Sequence, residues 1–172
     1  MFKLFTHDGG IRTLFIAHWP ARIAPGTENV KQTAHVKDIL PTLLDAAEVK
    51  TATPDALPIT GRSFLPALLD ASHAANEPLF WERMGNSAVR DGDWKLVRFY
   101  NDARIKNVSF GPRTGAWQLF NLVTDPTESR DLAANESEKA AELIVKYAAW
   151  EQRIGVVPRE DIVAKLKPES AR

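Results

Sequence analysis

The 172-residue chain contains no cysteine. That absence excludes a disulfide framework, a thiolate metal site and a cysteine nucleophile within these residues. It also lacks an excess of charge of either sign, because 22 Lys and Arg face 22 Asp and Glu. No basic field exists to follow a nucleic-acid backbone or an anionic membrane, so any anion site has to be local. No apolar run approaches the roughly 20 residues of a membrane-spanning helix, and the N-terminus lacks the charged-then-apolar pattern of a signal peptide. Metal-ligand spacing is missing too. His7, His18, His35 and His73 show no His-x-x-x-His pattern and read as surface or packing residues. None of Ser63, Ser72, Ser87 and Ser109 lies in the Gly-x-Ser-x-Gly turn that exposes a nucleophile.

What is present is ordinary globular material, 44% hydrophobic and 26% charged. The first residues, Met1 to Arg12, crowd Lys3, His7, Asp8 and the pair Gly9-Gly10 ahead of an apolar run, Leu14-Phe15-Ile16-Ala17. A glycine pair permits positive φ and a close backbone approach to a ligand. A lysine and a histidine beside such a turn supply a cation and a proton donor for an anion. The start is abrupt, with Met1 standing almost directly against a strand-like segment, which suggests that more chain belongs upstream.

In chain order, Ile11 to Trp19 reads as a strand suited to a sheet covered on both faces. His35 to Val49 reads as a helix, capped by Asp38 and carrying Pro41 in its first turn. Ser63 to Leu69 repeats that scheme in shorter form, and Lys50 to Thr60 between them is a loop. From Pro78 the period becomes strand-like. Leu79-Phe80-Trp81 and Ser87 to Arg90 are strands, and Asp91-Gly92 signals a hairpin. Trp94 to Phe99 returns, with Trp94, Leu96 and Arg98 on one face and Lys95, Val97 and Phe99 on the other. After a polar excursion from Asn101 to Gly115, Trp117 to Leu122 completes an antiparallel sheet of three or four strands. Asn135 and Glu138 form a capping-box pattern opening a helix over 135–154, with an apolar stripe of Leu143, Tyr147, Trp150 and Ile154. Gly155 and Pro158 stop it, and a charged tail follows.

This ordered set resembles the C-terminal part of an arylsulfatase-type sulfatase of the alkaline-phosphatase-like superfamily. The resemblance runs from Lys3 through Thr6-His7-Asp8-Gly9-Gly10, Phe15-Ile16-Ala17-His18-Trp19-Pro20 and Val36 to Asp45. It continues through Gly61 to Pro66, Leu79 to Glu82, Ala88 to Leu96 and Leu119 to Glu128, and covers about Lys3 to Ile154. It implies an α/β fold class: residues 1–76 as the end of an alkaline-phosphatase-like α/β catalytic domain, and residues 77–172 as a small antiparallel sheet packed with a C-terminal helix.

The resemblance also implies hydrolysis of sulfate esters by a formylglycine nucleophile aided by calcium (Ca2+). Lysines and histidines bind the sulfate, so that charge developing in the transition state is stabilised. Lys3 matches the family's late sulfate-binding lysine. His7 and Asp8 fall beside that site, Asp8 standing where glutamate is usual, and Glu82 at a strand end is a candidate for the substrate rim. The Cys/Ser-x-Pro-Ser-Arg motif, the paired early aspartates and the Asp-Asn metal pair have no counterpart here. The expectation is therefore a fragment that is inactive alone, binds no calcium through its own residues and needs a missing N-terminal catalytic portion. Nucleic acid and membrane are not expected partners. Family members are usually exported, but no compartment follows for this chain. Two alternatives stay open: a non-enzymatic module or subunit completing a separately encoded domain, and a phosphomonoester or phosphonate hydrolase relative.

Overall fold

The computed structural model describes residues 5–50, 58–71, 77–100 and 115–165. Lys3, Ser72, His73, Ser109, residues 51–57, most of the Asn101 to Gly115 excursion and the last seven residues of the tail lie outside these. The chain forms two compact units, one of Met1–Thr13 with Pro78–Arg172 and the other of Leu14–Glu77. The seams between them follow Thr13 and Glu77. The first residues, however, group with the sheet and not with the residues that follow them, because Phe5 to Asp8 pack against it.

In the first unit four strands run in sequence order, each antiparallel to the next: β1 (Leu79–Arg83), β2 (Asn86–Asp91), β3 (Trp94–Arg98) and β4 (Trp117–Asn121). Asp91 pairs with Trp94, so the central turn residues are Gly92 and Asp93, one position later than the sequence suggests. Gly92 sits at φ +57°, a conformation that a Cβ would strain. The alternation expected for β3 holds. Val89, Leu96 and Leu119 face Ala140, Leu143 and Tyr147 of α4 (Ser137–Ile154), forming the main core. Ala88, Val97 and Phe120 occupy the opposite face with Trp81 and Leu122.

Helix α4 starts later than the capping-box pattern predicts. Its N-cap is Glu136, and no side chain caps it. Asn135 is taken up instead by a preceding turn, in which the amides of Asn135 and Glu136 both donate to the Leu132 carbonyl. The stop is as expected: Gly155 takes φ +69° and its amide closes on Glu151 and Gln152 carbonyls. Trp150 stacks on Phe80 at 5.2 Å, whereas Ile154, the last member of the predicted stripe, is exposed. A short helix α5 (Arg159–Lys165) follows.

The second unit holds a 3-10 turn (Val36–Asp38), α2 (Ile39–Ala46) and α3 (Leu65–Leu69). Asp38 acts differently from the simple N-cap expected. Its carboxylate accepts the His35 amide at 2.7 Å and the Arg62 amide at 3.0 Å, tying two segments together. Phe64 and Ala67 are its buried apolar residues among those described, and Phe15 meets Phe64 edge-on. The strand expected over Ile11 to Trp19 does not form. Ile11 closes α1 (Asp8–Ile11), and Leu14 and Ile16 are 88% and 86% exposed. A strand of that composition needs pairing neighbours and cover on both faces. Among the described residues, Leu14 to His18 have neither.

Candidate functional site

The expected glycine turn is helical: Gly9 and Gly10 lie within α1, and His7 precedes it as the N-cap. What the Thr6 to Arg12 stretch builds is a buried ionic cluster on the sheet face opposite α4. Lys95 projects from the middle of β3 with its side chain fully buried, 0% exposed. Its Nζ donates to Asp8 Oδ1 at 2.5 Å. The same Nζ lies 2.7 Å from Glu128 Oε1, an ion pair whose angles fall outside hydrogen-bond geometry. Glu128 Oε2 accepts the Asp8 amide at 2.6 Å. Arg12 approaches Asp8 Oδ2 from the exposed edge, at 3.9 Å.

Each residue is set by its element. Period-two alternation turns Lys95 to the face of Val97 and Phe120, away from α4. Glu128 follows β4 in a turn organised by Asp125, whose carboxylate accepts the amides of Ser129 and Arg130 at 2.8 Å each. The Arg130 amide above all holds the Asp125 pKa below its usual value. Glu128 takes φ +54°, a left-handed conformation unfavourable for a residue with a side chain.

His7 is buried, 2% exposed, and stacks on Phe99 with ring centroids 4.5 Å apart. Its Nδ1 has no hydrogen-bond partner. Burial first, then the Lys95 cation, lower its pKa to about 4 against the opposing pull of Asp8. Glu128 shifts the other way: burial raises its pKa, outweighing the attraction of Lys95. Thr6 Oγ1 donates to the Ser87 carbonyl at 3.1 Å, and Phe5 meets Phe99 edge-on.

The structure thus brings His7 and Asp8 together, places Glu82 elsewhere and leaves Lys3 outside the described residues. Glu82 is exposed at the end of β1, where Oε1 accepts the Gly85 amide at 2.7 Å and braces the hairpin turn. It also borders a cleft of about 560 Å³ lined by Arg98, Tyr100, Glu151 and Arg159 among others. Lys95 and Glu128 were not singled out from the sequence as members of a site. The one available signal was that Lys95 shares a strand face with Val97 and Phe99, which marks a lysine placed inside.

The match to known proteins identifies what this framework is. Residues 1–151 match the family described as N-sulphoglucosamine sulphohydrolase, C-terminal. The chain belongs to this sulfatase family. It is 26% identical to an ulvan-active sulfatase of Formosa agariphila over 94% of its own length and 37% of that protein's. With arylsulfatase A of Bos taurus it shares 30% identity over 81% of its length and 29% of the relative's. This sulfatase C-terminal part therefore spans about a third of the curated relatives it matches. Its fold is that of a chain solved in work on glycosaminoglycan metabolism by Bacteroides thetaiotaomicron, with a TM-score of 0.68, 24% identity and coverage of 87% of this chain and 31% of that one.

Among the described residues no group of three His, Cys, Asp or Glu is placed to hold a metal ion, and no helix is long and apolar enough to cross a membrane. In the buried cluster the two carboxylates are already committed to one lysine and one amide. Its chemistry is that of a fastening.

Proposed function

We propose that this chain is the C-terminal part of a sulfuric ester hydrolase and works only when joined to an N-terminal catalytic portion. In this reading Lys3 contributes a cation to the sulfate oxygens. Glu82 belongs to the rim around the organic part of the substrate, and His7 and Asp8 support the substrate side from beneath. The substrate class is an aryl or carbohydrate sulfate ester, in keeping with the names of the relatives. Formylglycine and calcium would be held by the N-terminal portion. The described residues offer no group of three carboxylate or imidazole ligands for that ion.

The observation that carries this reading is the bare apolar run. Leu14 and Ile16 are almost fully exposed and the backbone from Leu14 to His18 is unpaired among the described residues. A run of this kind is suited to adding a strand to a partner's sheet edge, with main-chain hydrogen bonds and side-chain burial supplied together. A catalytic domain on a separate chain would use the same surface, and that second reading shares the observation.

The test is hydrolysis of p-nitrophenyl sulfate with calcium present. The isolated 172-residue chain is expected to release no sulfate above background. Joined to the catalytic portion it is expected to be active, with turnover reduced by Lys3→Ala. Calcium-dependent sulfate release by the isolated chain would overturn the reading.

A further inference from the structure

The Thr6 to Arg12 segment is attached to a sheet to which it does not belong. It adds no strand to the ladder, and beside one neutral hydrogen bond, from Thr6 Oγ1 to the Ser87 carbonyl at 3.1 Å, its contacts are of two kinds. One is aromatic and weakly directional: Phe5 and His7 against Phe99, and His7 near Phe120. The other is ionic and specific in position, because Lys95 reaches Asp8 across 87 positions of sequence and Glu128 reaches the Asp8 amide across 120. Three distant segments therefore meet at one ammonium group with no exposed surface.

We infer that Lys95 is a positioning residue: its buried charge fixes the segment from Thr6 to Arg12 in register on the sheet, with Glu128 as the second anchor. Aromatic packing with the single Thr6 hydrogen bond would still let the segment pivot from Asp8 onward, since ring contacts tolerate many offsets and one bond fixes one point. A charge-assisted hydrogen bond to one carboxylate oxygen does not. A second observation points the same way. Glu128 holds a left-handed backbone conformation that costs free energy, and such a residue persists where the surroundings hold it in place. Here the Asp125-centred turn and the Asp8 amide do so. Resting on the proposed role of Lys3, Lys95 also holds the described segment that follows that lysine in the chain.

Charge and packing are separable because the chain contains no cysteine. Lys95→Cys can be alkylated under denaturing conditions at a single sulfur and refolded. Aminoethylation restores a lysine-like side chain with its charge, and propylation restores the length without it. The readout is hydrogen exchange at the amides of Asp8, Gly10, Ile11 and Arg12, each of which has a defined acceptor. Val89 and Leu96 in the sheet core serve as controls.

The propylated protein is expected to exchange at those four amides at least about tenfold faster relative to the controls, and the aminoethylated one to return to within about threefold of wild type. Equal protection by the two adducts would overturn the inference. Should neither adduct refold, Glu128→Gln keeps an acceptor for the Asp8 amide and weakens the ionic anchor. It is expected to loosen the same four amides selectively, and uniform change across segment and sheet would count against the inference. None of these readouts depends on sulfatase activity, so the two proposals fail separately.

Discussion

His7 makes acid stability a measurable consequence of this architecture. The imidazole titrates near 6.5 when unfolded and near 4 when folded. Between those values the unfolded chain binds more protons, so stability is fully present above about pH 6.5 and is lost as pH falls toward 4. From pH 7.5 to 4.5, that pair of values corresponds to a loss of about 2.5 kcal/mol from this residue alone. Glu128 acts in the opposite sense. Its folded pKa is raised, so its own contribution decreases as pH rises through the window above 4.5. A wild-type titration mixes the two, but comparison with His7→Phe isolates the histidine while keeping a ring against Phe99. Urea unfolding followed by tryptophan fluorescence at pH 7.5, 6.5, 5.5 and 4.5 provides the measurement. The variant is expected to gain about 2.5 kcal/mol relative to wild type between the end points. Parallel curves for the two proteins would show that His7 is not held neutral by burial.

Other expectations concern parts remote from that cluster. Leu143→Ala removes a fully buried side chain from the face where α4 meets the sheet and should cost about 3 kcal/mol by urea unfolding. Gly155→Ala meets no neighbouring atom, yet places a Cβ at φ +69°; a loss of about 1 kcal/mol, without change in the sheet's tryptophan environment, is the expected outcome. Leu14→Ser with Ile16→Ser should leave the isolated chain's stability almost unchanged, because these side chains are exposed, and lower its binding of a hydrophobic-surface dye. A marked fall in stability would mean that the run is already covered.

How much of this was written in the residues differs between the two units. The sheet was readable because its instructions are local: alternation in Trp94 to Arg98, a glycine at the hairpin, a glycine after α4. Where local signals competed, the reading slipped by a residue or two. Asn135 looked like a cap, but the Leu132 carbonyl claims its amide first. The strand expected from Ile11 to Trp19 failed for a different reason. Its composition specifies burial, and apart from the Phe64 ring against Phe15 the described neighbours leave Leu14 and Ile16 almost fully exposed. The buried cluster was half legible. His7 and Asp8 drew attention as possible substrate contacts, but their partners lie at Lys95 and Glu128, and nothing in the local pattern around residue 128 announces a buried carboxylate on a left-handed backbone.

The long reach of the Asp8 contacts carries a consequence for synthesis. A chain emerges from its N-terminal side, so the segment that closes onto the sheet appears before any of the surface that receives it. Glu128 follows Asp8 by 120 residues, which at ordinary elongation rates is a wait of about 6 to 24 seconds. For most of that interval Phe5, His7 and Asp8 have no sheet partner, because Lys95 and Phe99 are made only late in it and Glu128 at its end. The strands and α4 can assemble from neighbours as they appear, because each pairs with the next in sequence. The oldest residues of this unit are therefore among the last to find their place, and a nascent chain should show it as late protection of Thr6 to Arg12 from proteolysis.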